Sequence, residues 1–301
     1  MITATALRKT YGTRTAVDDL SFEVTAGRVT GFVGPNGAGK STTMRMMVGL
    51  TRPDLGNVTY DGVQYTDLRD PASVVGSVLD ARSMHPGRTA RAHLRGSAAL
   101  NRIPTARVDT VLAEVGLETA ADQRAGGFSL GMRQRLALAG ALLGDPDVLL
   151  LDEPSNGLDP DGIRWLRTYL TGFARDGGTV FVSSHLIGEL AIFADDLVVV
   201  GAGKLLAAES VASITARNTI VVVVETVEAD QRTSLLEHLR STGLLVQPNG
   251  TQLHVHGTDR RTVAQVAHRH HIAVLELTAQ ARSLEDSLLE LTASSAEFAS
   301  A

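Results

Sequence analysis

The sequence has no cysteine, which excludes disulfides and thiolate metal sites and suits a reducing compartment. Lysine is almost as scarce, occurring only at positions 9, 40 and 204. With 28 basic and 33 acidic side chains the formal net charge is -5, so the basic excess usual for duplex DNA or RNA binding is missing. No nucleic-acid partner is expected. Long apolar runs are also lacking. Stretches such as Val148 to Leu151 and Leu197 to Val200 fall far short of the roughly 20 residues that cross a bilayer, so the chain is not expected to form a membrane pore. Met1 to Lys9 shows no basic segment followed by an apolar core of signal-peptide length, which points to a cytoplasmic protein.

What is present, over 301 residues, is a large α/β pattern followed by a smaller one. Val29 to Val33 is a buried strand entering a glycine-rich loop, and Ser41 to Leu50 follows with helix-compatible residues. Val148 to Leu151 is a second apolar strand. It comes after a helix whose residues Met132, Leu136, Ala139 and Leu143 recur at helical spacing. Thr179 to Val182 is a third strand, followed by a helix over Leu186 to Phe193. Continuous apolar strands alternating with helices predict a mainly parallel sheet covered on both faces.

Near residue 215 the composition shifts. Thr219 to Glu225 reads as a strand, Asp230 to Arg240 as a helix, and Leu244 to Gln247 and Gln252 to His256 as strands around the turn signal Pro248-Asn249-Gly250. Arg261 to His270 continues as a helix, Ala273 to Thr278 as a strand and Leu284 to Leu291 as a closing helix. The expected organisation is a first domain over 1–214, a small α+β domain of ferredoxin-like order over 215–295, and a frayed tail over 296–301.

Gly34-Pro-Asn36-Gly37-Ala38-Gly39-Lys40-Ser41-Thr42 fits the phosphate-loop pattern, whose backbone N–H groups point at phosphate oxygens. Lys40 is expected to reach the β and γ phosphates, and Ser41 to offer a hydroxyl to Mg²⁺. Farther on, the strand ending at Leu151 runs into two adjacent carboxylates. Side chains alternate along a strand, so the pair can divide the work. Asp152 would hold a water of the Mg²⁺ shell, and Glu153 would orient the water that attacks phosphorus.

Between these lies Phe128-Ser129-Leu130-Gly131-Met132-Arg133-Gln134-Arg135, which resembles the Leu-Ser-Gly-Gly-Gln signature of the ATP-binding-cassette (ABC) family at Ser129 and Gly131 and departs from it at Phe128, Leu130 and Met132. Read without that resemblance, Ser129 is the N-cap of an ordinary helix. Further elements follow in family order. Ser155-Asn-Gly-Leu-Asp159 resembles the D-loop, His185 the switch histidine that contacts the γ phosphate, and Tyr11 the aromatic that stacks on adenine, although packing at a sheet edge is an alternative for Tyr11. In Val75-Gly-Ser-Val-Leu-Asp80, Asp80 stands where the family has its Q-loop glutamine. A carboxylate there can still ligate Mg²⁺.

The resemblance covers residues 1 to 212. It implies a P-loop ATPase of the ABC type, with an antiparallel N-terminal sheet and a helical signature subdomain. It also implies ATP and Mg²⁺ as ligands, with Ser41, Asp80 and Asp152 toward the metal and Ser129, Gly131 and Asp159 toward nucleotide shared with a second subunit. The partner subunit would be a second copy or a sister ATPase, and the machine driven would be a membrane permease on a separate chain, which would hold this chain at the inner face of the membrane. The segment after 215 resembles the extension of drug- and peptide-antibiotic-export ATPases of the daunorubicin and bacitracin resistance type. The competing readings are a soluble ABC ATPase that does not serve transport and a nucleotide-sensing subunit with weak hydrolysis. Five histidines cluster late, at 254, 256, 268, 270 and 271; they are read as solvent-facing residues and not as metal ligands.

Overall fold

The computed structural model describes residues 1–80, 84–216 and 220–281, which divide into two compact units, Met1–Val211 and Ala212–Glu290. The first unit opens with strands β1 (Ile2–Tyr11) and β2 (Arg14–Val24), then the buried strand β3 (Val29–Val33) and helix α1 (Lys40–Met47). Strands β4 (Leu55–Tyr60) and β5 (Val63–Gln64) lead through the short helix α2 (Pro71–Val74) to strand β6 (Val75–Val78). Three helices follow: α3 (Ala90–Leu100), α4 (Ala106–Glu114) and α5 (Leu130–Ala141). The chain then returns through β7 (Val148–Leu151), α6 (Pro160–Arg175), β8 (Thr179–Ser184), α7 (Ile187–Ala191), β9 (Asp196–Gly201) and β10 (Lys204–Ser210). Helix α8 (Val211–Ala216) closes this stretch of chain.

Two sheets result. β2-β1-β4-β5 is antiparallel, and β10-β9-β3-β8-β7-β6 is parallel except for its edge strand β10. β7 and β8 are buried along their whole length, as strands covered on both faces must be. The two sheets share a core in which Phe22 of β2 lies 5.7 Å from Phe32 of β3 and 5.5 Å from Phe181 of β8. Helix α5 buries Leu136, Leu138 and Ala139. Leu143 of the predicted helical stripe is buried too but lies beyond the helix end.

The second unit runs β11 (Ile220–Thr226), α9 (Ala229–Ser241), β12 (Leu245–Asn249), β13 (Gln252–His256), α10 (Arg260–Arg269) and β14 (Val274–Ala281). Its sheet, β12-β13-β11-β14, is antiparallel throughout, and with the β-α-β-β-α-β order this is the ferredoxin-like arrangement. Leu235 and Leu239 of α9 and Val263 of α10 seal a core of Val222, Val224, Leu253 and Val255. The expected turn at Pro248-Asn249-Gly250 is shifted. Pro248 and Asn249 pair with Leu253 and Gln252 inside β12, so Gly250 and Thr251 alone make the bend. A proline is tolerated there because β12 is an edge strand whose outward N–H side needs no partner. The helix expected over Leu284 to Leu291 and the tail over 296–301 lie outside the described residues.

Candidate active site

The parallel sheet puts the carboxyl ends of β3, β7 and β8 side by side, where ligands of open α/β folds sit. β3 delivers the loop 34–39 there, and α1 begins at Lys40 with Gly39 as its N-cap and no side chain capping it. Its first N–H groups therefore keep their capacity for an anion, which the helix dipole favours. Gly39 adopts φ 101°, and a Cβ on it would sit 2.4 Å from the Ala16 carbonyl oxygen. Only glycine fits this cradle.

Lys40 is buried, and its Nζ donates to the Gly34 carbonyl at 2.7 Å and lies 3.4 Å from Glu153 Oε1. Glu153 follows directly on the strand end and takes a left-handed backbone, φ 50°, a conformation costing a non-glycine residue about 1–2 kcal/mol. Its Oε2 lies 2.7 Å from His185 Nδ1. One carboxylate thus bridges the loop lysine and the histidine beyond β8. Asp152, the preceding residue, turns its Oδ1 to the Ser183 hydroxyl at 2.6 Å.

These groups face a cleft of about 480 Å³ whose lining includes Tyr11, Asn36, Gly37, Gly39, Lys40, Ser41, Thr42, Glu153 and His185. Ala38, within the same loop, is buried. Tyr11 ends β1 with half its surface exposed at the cleft, open to stacking by a flat ring. Two lining residues escaped the sequence reading, Arg14 and Ala16, and a third, Asn156, falls within the segment read as the D-loop without being singled out there. Arg14 could have been found, because a two-residue hairpin sets it opposite Tyr11, and its guanidinium reaches the Gly37 carbonyl at 3.5 Å. Ser41 lines the cleft and Asp152 directly precedes Glu153, which does too; oxygen donors of this kind suit Mg²⁺, a hard ion that takes few protein ligands and completes its shell with phosphate and water.

Six expected residues are not among the lining of this cleft: Ala38 and Asp152 are direct chain neighbours of residues that are, whereas Asp80, Ser129, Gly131 and Asp159 belong to other segments. Asp80 follows β6 and is exposed. Ser129 caps α5, accepting the Met132 N–H at 3.2 Å. Asp159 caps α6 by accepting the Gly162 N–H at 2.7 Å, with Pro160 at the first helical position, the standard use of both residue types. The late histidines are partly surface residues: 268, 270 and 271 are exposed, 254 and 256 half-buried. The ring of His270 stacks on that of His238 at 3.5 Å. Desolvation, then the charge of His238, hold His270 below the ordinary histidine range. Among the described residues no group of three or more His, Cys, Asp or Glu is placed to hold a metal.

Known proteins supply the family. A family model described as ABC transporter matches residues 17–156, and one described as a domain of unknown function matches 220–285. The chain is 36% identical to an uncharacterized ABC transporter ATP-binding protein of Bacillus subtilis, YhcH, over 94% of this chain and 93% of that one. It belongs to the ABC transporter ATP-binding family. This ABC ATPase is also 33% identical to the bacitracin transport ATP-binding protein BcrA of Bacillus licheniformis over 97% of both chains. Among solved structures, the dimeric, post-hydrolysis state of the ATP-binding cassette MJ0796 bound to ADP and Pi superimposes with a TM-score of 0.64 at 25% identity, covering 70% of this chain and 99% of that one. The fold is that of an ABC cassette, and the chain is an ATP-binding, ATP-hydrolysing subunit of that family. No helix among the described residues is long and apolar enough to cross a membrane.

Proposed function

We propose that this ATPase clamps ATP and Mg²⁺ at the loop around Lys40, hydrolyses the γ phosphate with Glu153, and passes the resulting opening and closing to a membrane permease carried on a separate chain. The observation that carries this reading is the Glu153 carboxylate, held at once 3.4 Å from the Lys40 ammonium and 2.7 Å from His185 Nδ1. A γ phosphate entering beside α1 competes with Glu153 for Lys40, since the dianionic group is the better partner for a set of N–H donors and one lysine. Glu153, released from that pair but still beside His185, can then accept a proton from water in line with the phosphorus. Ser41, with Asp80 as the Q-loop residue and Asp152 through a water of its shell, would hold Mg²⁺, which would supply neutralisation of the phosphate charge.

Completion of the site calls for a second subunit, a copy of this chain or a sister ATPase. The N-terminus of α5, with Ser129 and Gly131, and the loop ending at Asp159 are proposed to close over the other subunit's nucleotide, because an uncharged helix N-terminus is a ready anion site. Work done by closure follows from the difference in nucleotide affinity between the open and closed dimers. The names of the relatives favour export, with a drug, peptide antibiotic or lipid as cargo, and a position at the cytoplasmic face through the permease.

The deciding experiment is Mg²⁺-dependent ATP turnover by the purified chain beside Glu153→Gln, with light scattering in ATP. Removing the base should cost about 100-fold or more in turnover while ATP now traps a dimer. If the wild type turns over ATP and Glu153→Gln hydrolyses as fast, the assignment of Glu153 is wrong. If neither binds ATP, the whole reading falls.

A further inference from the structure

One fully buried hydroxyl beside this site has no part in the reading above. Ser183 lies near the carboxyl end of β8, one residue past the pairing of Leu151 with Val182, so it stands next to Asp152 where β7 stops. Its Oγ donates to Asp152 Oδ1 at 2.6 Å and accepts the Glu153 N–H at 2.9 Å. A serine hydroxyl carries one proton on a free torsion. With the proton given to a carboxylate and a lone pair given to an amide, that torsion is set. The bond to Asp152 is of the short, charge-assisted kind.

The second contact is made where the backbone is least at ease. Glu153 has φ 50°, and a non-glycine residue persists there only when its surroundings hold it. The Ser183 hydroxyl is what holds its amide. Both carboxylates of the site are thus oriented from one atom, Asp152 through its side chain and Glu153 through its main chain.

We propose that Ser183 is a positioning residue for ATP hydrolysis, fixing the Asp152 carboxylate and the left-handed turn at Glu153 together. The proposal rests on the ATPase reading. Ser183 is not among the residues lining the nucleotide cleft; it acts through its two neighbours. Without the hydroxyl, Asp152 can rotate away from the metal side, and the turn can relax so that Glu153 leaves Lys40 and His185. A hydroxyl that merely satisfied the end of a strand would, on removal, lower stability and leave turnover alone.

The test compares full-length wild type, Ser183→Ala and Ser183→Thr in kcat, KM for ATP, the Mg²⁺ concentration at half-maximal rate, and affinity for a fluorescent ATP analogue without Mg²⁺. Ser183→Ala should lose about 10- to 100-fold in kcat, the range for removing a residue that orients a metal ligand, and should need more Mg²⁺. Its affinity for the analogue without Mg²⁺ should be unchanged. Ser183→Thr should recover most of the rate, because it keeps the hydroxyl and because Ser183 borders a cavity of about 60 Å³, lined also by Leu166, Leu170 and Phe193, with room for a methyl group. If Ser183→Ala does not fold, Ser183→Cys, nearly the same shape but a weak donor, carries the same expectations. An alanine variant within twofold of wild type in kcat and Mg²⁺ requirement overturns the proposal, as does a threonine variant as impaired as alanine. A wild type without Mg²⁺-dependent turnover sinks the ATPase reading and this proposal with it; an active wild type, an inactive Glu153→Gln and an unimpaired Ser183→Ala sink this proposal alone.

Discussion

At the scale of single residues, the same physical demand can have different consequences, as two glycines show. Gly39 and Gly157 both have positive φ, 101° and 73°. A Cβ on Gly39 would meet the Ala16 carbonyl at 2.4 Å, a backbone atom that cannot step aside. A Cβ on Gly157 would meet Leu130 Cδ2 at 2.2 Å, the tip of a side chain 41% exposed, which can swing away. Gly39→Ala is therefore expected to weaken binding of a fluorescent ATP analogue at least about tenfold, equal to 1.4 kcal/mol. Gly157→Ala should bind normally and lose only about 1–2 kcal/mol of stability from its strained backbone. Equal binding by the two variants in a titration would show that the loop tolerates the displacement.

At the scale of elements, packing and titration can be separated. Phe181 of β8 stacks 5.0 Å from Phe32 of β3 and is fully buried; Phe181→Ala should cost about 3–5 kcal/mol in urea unfolding. That loss is transmitted to the site, because β3 and β8 carry the phosphate loop and His185 at their ends. On α3, His93 is half-buried, and desolvation followed by the charge of Arg88 holds its pKa below the ordinary histidine value of 6.5. The unfolded chain then takes up a proton at higher pH than the folded one, so stability is intact above about 6.5 and falls as the pH drops toward the lower folded value. In His93→Gln this acid-side loss should shrink. Unfolding midpoints compared at pH 7.5 and pH 5 measure it, and an equal drop in both proteins would assign the acid sensitivity elsewhere.

At the scale of the molecule, two cores that share no residue predict separable folding. A fragment of residues 1–216 contains every residue lining the nucleotide cleft and the whole first core. It should fold and bind the ATP analogue within about threefold of the full chain, as a domain with its own core can. A folded fragment that has lost binding would mean that the second unit contributes to the site.

Much of this protein could be read from local pattern. The phosphate loop, the strand ending in Asp152 and Glu153, and the strand before His185 are contiguous segments whose residue order dictates both conformation and chemistry, and β3, β7 and β8 appear where apolar runs predicted them. The strand-helix alternation after 215 is likewise legible, because period-two and helical patterns are local properties. Other features depend on neighbours far along the chain. Pro248 reads as a turn residue and becomes part of a strand only because β12 lies at a sheet edge. The contacts of Glu153 with Lys40 and His185, and of Ser183 with both acids, join residues 30 to more than 100 positions apart. Sequence determines which groups are available and what each strand buries, since those follow from the residues themselves. Which carboxylate meets which lysine, and which serine holds them both, is decided by the order of strands in the sheet, because only tertiary pairing brings their ends to one edge.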